Sequence, residues 1–158
     1  MIKTREVDVV VVGAGFAGIY MLYKLKKLGF SSRVIERGDG VGGTWHWNRY
    51  PGARCDIPSL QYSYQFDDDL QQEWEWEEKY SSQKQILEYA NHVVDRFDLR
   101  NDITFNTEVQ SATFNEEHGR WTVKTSDEEI VCSHCVMATG CLSQVNEPNI
   151  PGIENFKG

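Results

Sequence analysis

VDVVVVGAGFAGIYMLYKLKKLGFSSRVIERGDGVGGTWHW, residues Val7 to Trp47, carries the plan of the whole chain. Val9 to Val12 form a β-branched run, the pattern of a strand buried on both faces. Gly13, Gly15 and Gly18 follow at once with G-x-G-x-x-G spacing. Ile19, Leu22, Tyr23 and Leu25 then give a mostly apolar helical face, and Gly29 is a natural stop for that helix. Arg33 to Ile35 read as a second short strand with Glu36 at its end.

Each part has a physical job. Gly13 permits a tight turn out of the strand, Gly15 lacks a Cβ and lets a pyrophosphate approach the backbone, and Gly18 lets the helix pack closely on the strand. The free N–H groups and dipole at the helix start favour a diphosphate. Glu36 lies 18 residues beyond Gly18, where a carboxylate can accept hydrogen bonds from both ribose hydroxyls. A glycine turn can also be merely structural. The strand before this one, the helix after it and the acid at this distance favour dinucleotide binding. The acid disfavours a 2′-phosphate, so NADP is not expected in this turn, although Arg37 is adjacent. FAD and NAD remain, and Gly42-Gly43 favours FAD, because a second glycine loop can press on the longer ligand.

The chain has 158 residues and a mass of 18.2 kDa, which points to one domain. Its net charge of −8 and isoelectric point near 5.0 argue against a nucleic-acid partner, which wants a basic face. No apolar run approaches the ~20 residues of a membrane span. The start, Met-Ile-Lys-Thr-Arg-Glu, leads into a strand with no signal-peptide pattern, so a cytoplasmic protein is expected. Cys132-Ser-His-Cys135 has C-x-x-C spacing but no second pair downstream. It lies in an apparent strand, Ile130 to Met137, where residues three apart point to opposite faces. Ordinary buried thiols are expected there, with no metal site.

Thr44 to Tyr64 is rich in aromatics, poor in periodicity and broken by Pro51-Gly52 and Pro58. It reads as a long loop lining a ligand pocket, with Trp45, Trp47, Tyr50 and Tyr62 placed to stack on a ligand, exclude water or form a small satellite core. Asp67 to Asp69 and Glu73 to Glu78 read as a solvated acidic face anchored by Trp74 and Trp76. Ser82 and Gln85 suggest a capping box at the head of an amphipathic helix bearing Ile86, Leu87, Ala90, Val93, Val94 and Phe97. Ile103 to Phe105 reads as a parallel strand. Val109 to Phe114, Arg120 to Thr125 and Glu129 to Cys132 read as a meander with turns at His118-Gly119 and Ser126-Asp127. Val136 to Ala138 returns as a buried strand whose end, Thr139-Gly140, lets the backbone pass close to a ligand. The expected fold is α/β, a doubly wound, Rossmann-like FAD-binding domain with a three-stranded antiparallel β-meander insertion. Residues 1–145 would form the domain and 146–158 a linker.

GAGFAG, GGTWHWNRYPGARCD, YSSQKQILEY and MATG together resemble the amino-terminal FAD segment of type I Baeyer–Villiger monooxygenases, over essentially the whole chain. YPGARCD, Tyr50 to Asp56, is far more specific than the glycine turn. Phe156-Lys157-Gly158 matches the opening of the family fingerprint FxGxxxHxxxW, and the sequence stops before the histidine.

The resemblance implies an enzyme dependent on NADPH and O2, in which a flavin C4a-peroxide converts ketones to esters or lactones. It implies that Gly13, Gly15, Ala17 and Gly18 hold the FAD pyrophosphate and Glu36 the adenosine ribose. Thr44, Trp45, His46 and Trp47 would lie along the ribityl and isoalloxazine parts, Asp56 and Tyr62 near the flavin ring, and Val109 near the adenine. Arg54, Cys55 and Asp56 would also face the nicotinamide, with Asp56 in the catalytic role of orienting an active-site arginine. Two residues depart from the pattern: His46 is often tyrosine in relatives, and Cys141 takes the place of a glutamine or proline. A linker toward an absent NADPH-binding domain implies a fragment, inactive and a weak FAD binder when alone. An N- or S-oxygenating relative and a non-catalytic flavin-binding module are the alternatives.

Overall fold

The computed structural model describes residues 3–144 and 146–158. The expected boundary after residue 145 falls on Val145, which with Met1 and Ile2 lies outside the described residues. One six-stranded mixed sheet organises the chain, in the order β3-β2-β1-β6-β5-β4. Its strands are β1 (Lys3–Val12), β2 (Ser32–Ile35), β3 (Ile103–Thr104), β4 (Ser111–Asn115), β5 (Arg120–Lys124) and β6 (Glu128–Met137). β1 runs parallel to β2 and β6, and β2 parallel to β3, so Val12, Ile35, Thr104 and Met137 end at one common edge. That carboxyl edge is where open α/β sheets bind ligands.

β1 is longer than its valine run: Lys3 to Val7 add a half that pairs with β6 alone. The central valines have both neighbours, and Val10 and Val11 are fully buried. The helix α1 (Phe16–Lys27) starts from Gly15 and ends where expected, at Gly29 with φ +80°. Phe30 N–H donates to Leu25 O at 3.0 Å and Gly29 N–H to Lys26 O at 3.1 Å, the paired bonds of a Schellman stop. Lys24, Lys26 and Lys27 in the last turn complement the dipole there.

The Rossmann-like α/β class holds, and β4, β5 and β6 follow one another antiparallel, but the expected bounds of the third of these strands are corrected. Glu129–Cys132 and Val136–Ala138, read as two strands, belong to one strand that runs unbroken to Met137. No glycine or proline interrupts residues 128–137, so nothing ends the strand at Cys132. β5 therefore pairs antiparallel with β6 and β4 antiparallel with β5, and the two extend the edge of the same sheet rather than forming a separate insertion.

The core has two clusters. Val9, Val11 and Val34 pack with α1 and with α4 (Gln83–Arg96), whose inward residues are Tyr89, Ala90, Val93 and Val94. Val10, Ile35, Val123, Ile130 and Cys132 form the second cluster, which draws on strands alone. Cys132 and Cys135 both pack on this second cluster, so alternation does not separate them as expected. Burial raises both thiols and keeps them protonated and inert. Ser82 caps α4 by accepting from Gln85 N–H at 3.4 Å, but the Gln85 side chain turns to Ser81 and Glu75, leaving the capping box half formed.

The acidic stretch contains a helix that its charge concealed, α3 (Asp68–Glu73), capped by Asp67 accepting from Leu70 N–H at 2.8 Å. Trp74 and Trp76 anchor it on Tyr89, with ring centroids 5.2 and 5.1 Å away. A seam of rings then ties Tyr64 and Phe66 to Phe16, Tyr20 and Tyr23 of α1, closest at 4.2 Å between Tyr23 and Phe66. Among the described residues no helix is long and apolar enough to cross a membrane.

Candidate functional site

A cleft of about 740 Å³ opens at the shared carboxyl edge of β1, β2 and β6. Its floor is the glycine turn. Gly13 has φ +103°, and a Cβ there would lie 2.7 Å from Ala138 O, so only glycine fits. A Cβ on Gly18 would lie 1.9 Å from Gly13 O; this glycine sits beneath the cleft, where it lets α1 close on the turn. Gly15 lines the cleft, and no side chain caps the start of α1. The first-turn amides of a helix have no intrahelical acceptor, so these are available to an anion.

The second glycine pair meets the first. Gly42 N–H donates to Ala14 O at 2.9 Å, and a Cβ on Gly43 would come within 2.9 Å of Gly15 Cα. Two backbones thus touch, as the sequence suggested. Glu36 is buried at 7% exposure and lines the cleft. Its Oε2 accepts from Ala14 N–H and its Oε1 from Gly38 N–H, each at 2.7 Å. Each carboxylate oxygen can still accept another hydrogen bond. Its main chain is pinned as well, donating to Thr104 O at 2.8 Å and accepting from Thr107 N–H at 3.0 Å. A fixed pair of acceptors therefore faces the space beside the amides.

The expected loop from Thr44 contains one helical turn, α2 (Thr44–Trp47), and a 3-10 turn at Ser59–Tyr62. Thr44, Trp45, Trp47 and Tyr62 line the cleft, with Gly13, Gly15, Ala17, Glu36 and Val109 from the expected set. Tyr62 meets Trp45 and Phe16 edge-on, with centroids 5.5 and 5.8 Å apart. Burial, with the charges of Cys55 and Asp56 nearby, raises its phenol above the ordinary value. Tyr50, also expected to stack, points to solvent at 64% exposure.

Four expected contacts, besides Gly18, lie outside the cleft walls. His46 is turned away because four successive residues on a helical turn cannot share a face. It is buried beneath the 38–40 loop, with Nε2 3.0 Å from Asp39 Oδ1. Arg54 is held on the surface, Nη1 2.9 Å from Glu78 Oε2 and donating to Tyr80 O at 2.7 Å. Cys55 is buried and donates its N–H to Ser81 O at 3.1 Å. Asp56 is exposed, beside Tyr62 rather than in the cleft. The extended segment Ala53–Cys55, pinned to Ser81–Gln83, alternates its side chains, so the three neighbours cannot converge.

Several cleft residues escaped the sequence reading. Arg37 lies 5.3 Å over the Trp47 ring, and Phe16, Thr107, Glu108 and the stretch from Leu142 to Gln144 complete the walls. The flanks of Glu36 and Val109 were the available signal for Arg37 and Glu108. Among the described residues no three metal-ligating side chains come together.

Comparison with known proteins places this geometry. The chain is 46% identical to phenazine N-monooxygenase PhzNO1 of Lysobacter antibioticus, over 96% of this chain and 28% of that protein. It is 44% identical to a Baeyer–Villiger monooxygenase of Pseudooceanicola batsensis, over 97% of this chain and 28% of the relative. A closed crystal structure of cyclohexanone monooxygenase superposes with a TM-score of 0.92 at 47% identity, covering 99% of this chain and 30% of that one. OTEMO in complex with FAD and NADP gives 0.88 at 42% identity, over 96% and 29%. The chain thus spans less than a third of the length of the relatives it matches. The family model for pyridine nucleotide-disulphide oxidoreductases matches residues 10–157, and the chain belongs to that family, among the relatives of Baeyer–Villiger monooxygenases.

Proposed function

We propose that this chain is the FAD-binding portion of an NADPH- and O2-dependent flavoprotein monooxygenase that converts ketones to esters or lactones. One observation carries the reading: the backbone contact of Gly15 with Gly43, beside a buried Glu36 whose two oxygens are fixed in the cleft. The cradle fits the adenosine diphosphate half of FAD, since a Cβ at Gly13 or Gly43 would collide with backbone and the adjacent amides are uncapped. The relative solved with FAD and NADP supports both cofactors. Bound flavin would supply the redox and oxygen chemistry.

The chain's own residues bind and shield. The first-turn amides of α1 take the diphosphate and Glu36 accepts from the ribose hydroxyls. Trp45, Trp47 and Tyr62 wall off water, and the raised Tyr62 phenol keeps its proton at Oη. Asp56, exposed beside Tyr62, would hold an arginine supplied from outside the cleft walls. Arg54, Cys55 and Asp56 would meet the nicotinamide only on that same exposed side. Residues 1–145 would make the FAD-binding segment, and 146–158 would lead toward an NADPH-binding domain; every described residue of that tail is exposed. Four unpaired thiols suit a cytoplasmic location. N-oxygenation is the second reading, favoured by the 46% identity to phenazine N-monooxygenase.

A chimera tests the proposal. This chain replaces the matching segment of a cyclohexanone monooxygenase, and NADPH-dependent O2 uptake is followed with a ketone or an aromatic amine. Retained flavin with ketone-dependent uptake is expected. A chimera that folds without flavin overturns the FAD assignment, and amine-dependent uptake alone selects the second reading. The 158-residue chain by itself is expected to bind FAD weakly and to turn over no ketone.

A further inference from the structure

His46 stands in a motif whose neighbours line the cleft, yet its ring does not. It is 7% exposed and lies against the 36–40 loop instead. A Cβ on Gly38 would come within 3.1 Å of His46 Nε2 and 3.2 Å of Glu36 Oε1. A Cβ on Gly40 would come within 3.0 Å of His46 Cε1. The two glycines thus fold flat onto the imidazole, and the loop takes its shape from that ring. Asp39 Oδ1 at 3.0 Å can only accept, so Nε2 carries the proton between them. Arg49 closes the other side. Its Nε donates to His46 O at 2.6 Å, and its Nη2 is 3.4 Å from both ring nitrogens, a place above the ring face. Trp47 meets the ring edge-on at 5.1 Å.

The loop so held is the one that aims Glu36. Gly38 N–H donates to Glu36 Oε1 at 2.7 Å, and Gly38 O accepts from Asn106 N–H at 2.9 Å. Without a ring under Gly38 and Gly40, that amide loses its fixed place and one carboxylate oxygen loses its donor. The opposite oxygen keeps Ala14 N–H, which belongs to the glycine turn. The loss therefore falls on the sugar-facing group and spares the diphosphate amides of α1.

We propose that His46 is a positioning residue that sets the Glu36 carboxylate for the adenosine ribose hydroxyls by clamping Gly38 and Gly40 with Asp39, and is not itself a flavin contact. The inference rests on the dinucleotide reading of the cleft. The experiment takes the same chimera stripped of flavin and titrates it with ADP and with 2′-deoxy-ADP, following tryptophan fluorescence. In the unaltered chimera ADP binds about tenfold more tightly than the deoxy ligand, the effect of a hydrogen bond to a charged acceptor. In His46→Ala, ADP affinity falls about tenfold and deoxy-ADP affinity stays within about twofold, so the preference collapses. His46→Gln, whose amide can still donate to Asp39, restores part of it. Asp39→Ala, altering an exposed side chain, reads the same link if His46→Ala does not fold. A variant that weakens both ligands equally, with the preference intact, overturns the inference and leaves the dinucleotide reading standing. Failure of the unaltered, folded chimera to bind ADP at all overturns both.

Discussion

The two motifs of this chain, the glycine turn at Gly13 to Gly18 and the segment Arg54 to Asp56, meet different fates. The turn assembles with Glu36 into one wall of the cleft, drawing most of its contacts from residues 12–43, with Ala138 against the turn and Thr104 and Thr107 holding the Glu36 main chain. The second segment is the more distinctive string, yet Arg54 pairs with Glu78 at the surface, Cys55 is buried away and Asp56 faces solvent. The turn works through its backbone, whose amides and close approaches follow from local conformation. The other works through side chains that must meet partners brought by the rest of a fold. A backbone site is complete in a short piece of chain; a side-chain site is complete only with its neighbours.

The largest effect is expected on the turn. Gly18→Ala forces a Cβ to within 1.9 Å of Gly13 O, and a loss of about 3 kcal/mol should follow, read by urea unfolding. A loss under about 0.5 kcal/mol would mean that the turn relaxes freely, and the contrast between the motifs would weaken.

Next comes the aromatic seam that ties Tyr64, just beyond the second motif, to α1. Tyr89 accepts from Tyr64 N–H at 2.8 Å, and Tyr64 OH donates to Phe16 O at 2.6 Å. Burial pushes the Tyr89 phenol up to about 12 and raises the Tyr64 phenol further. A phenol raised in the folded state stabilises it fully below the unfolded value near 10 and loses that stability as pH climbs through the folded value. Unfolding free energy should therefore fall by about 2–3 kcal/mol between pH ~10 and ~12 from Tyr89 alone. Stability flat across that range would show that the seam does not hold the segment.

Glu36→Gln sharpens the comparison from the binding side. An amide NH2 would face Ala14 N–H or Gly38 N–H, donor against donor, and ADP affinity should drop about tenfold by calorimetry. The smallest change is Arg54→Ala, whose exposed ion pair with Glu78 should contribute under about 1 kcal/mol. ADP binding should stay within about twofold of the unaltered chain; a larger drop would place Arg54 in the nucleotide site after all.

Much of the fold was readable because its signals are local. The valine run, the spacing of Gly13, Gly15 and Gly18, and Gly29 act within a turn of chain, and α1 starts and ends where they indicate. Helix α3 was hidden because Asp67 to Asp69 read as solvated charge, although Asp67 is its cap. The unbroken β6 was hidden because its two halves meet different partners, β5 on one side below and β1 along its length. Pairing partners are a matter of tertiary structure. The cleft was legible at Gly13, Gly15, Ala17, Glu36 and Val109, and less so at Arg37, Thr107 and Glu108, which carry no motif of their own and reach the cleft through the packing of their segments.

The amino-acid sequence alone determined that a strand, a glycine turn, a helix and an acid would build a dinucleotide-shaped pocket, since backbone conformation and hydrogen-bonding capacity are properties of each residue and its near neighbours. Only the tertiary structure decided which side chains enter that pocket. One helical turn sent His46 beneath the loop of Glu36, and one extended pairing kept Arg54, Cys55 and Asp56 from converging. Direction is set by packing against distant segments, and no local string encodes it.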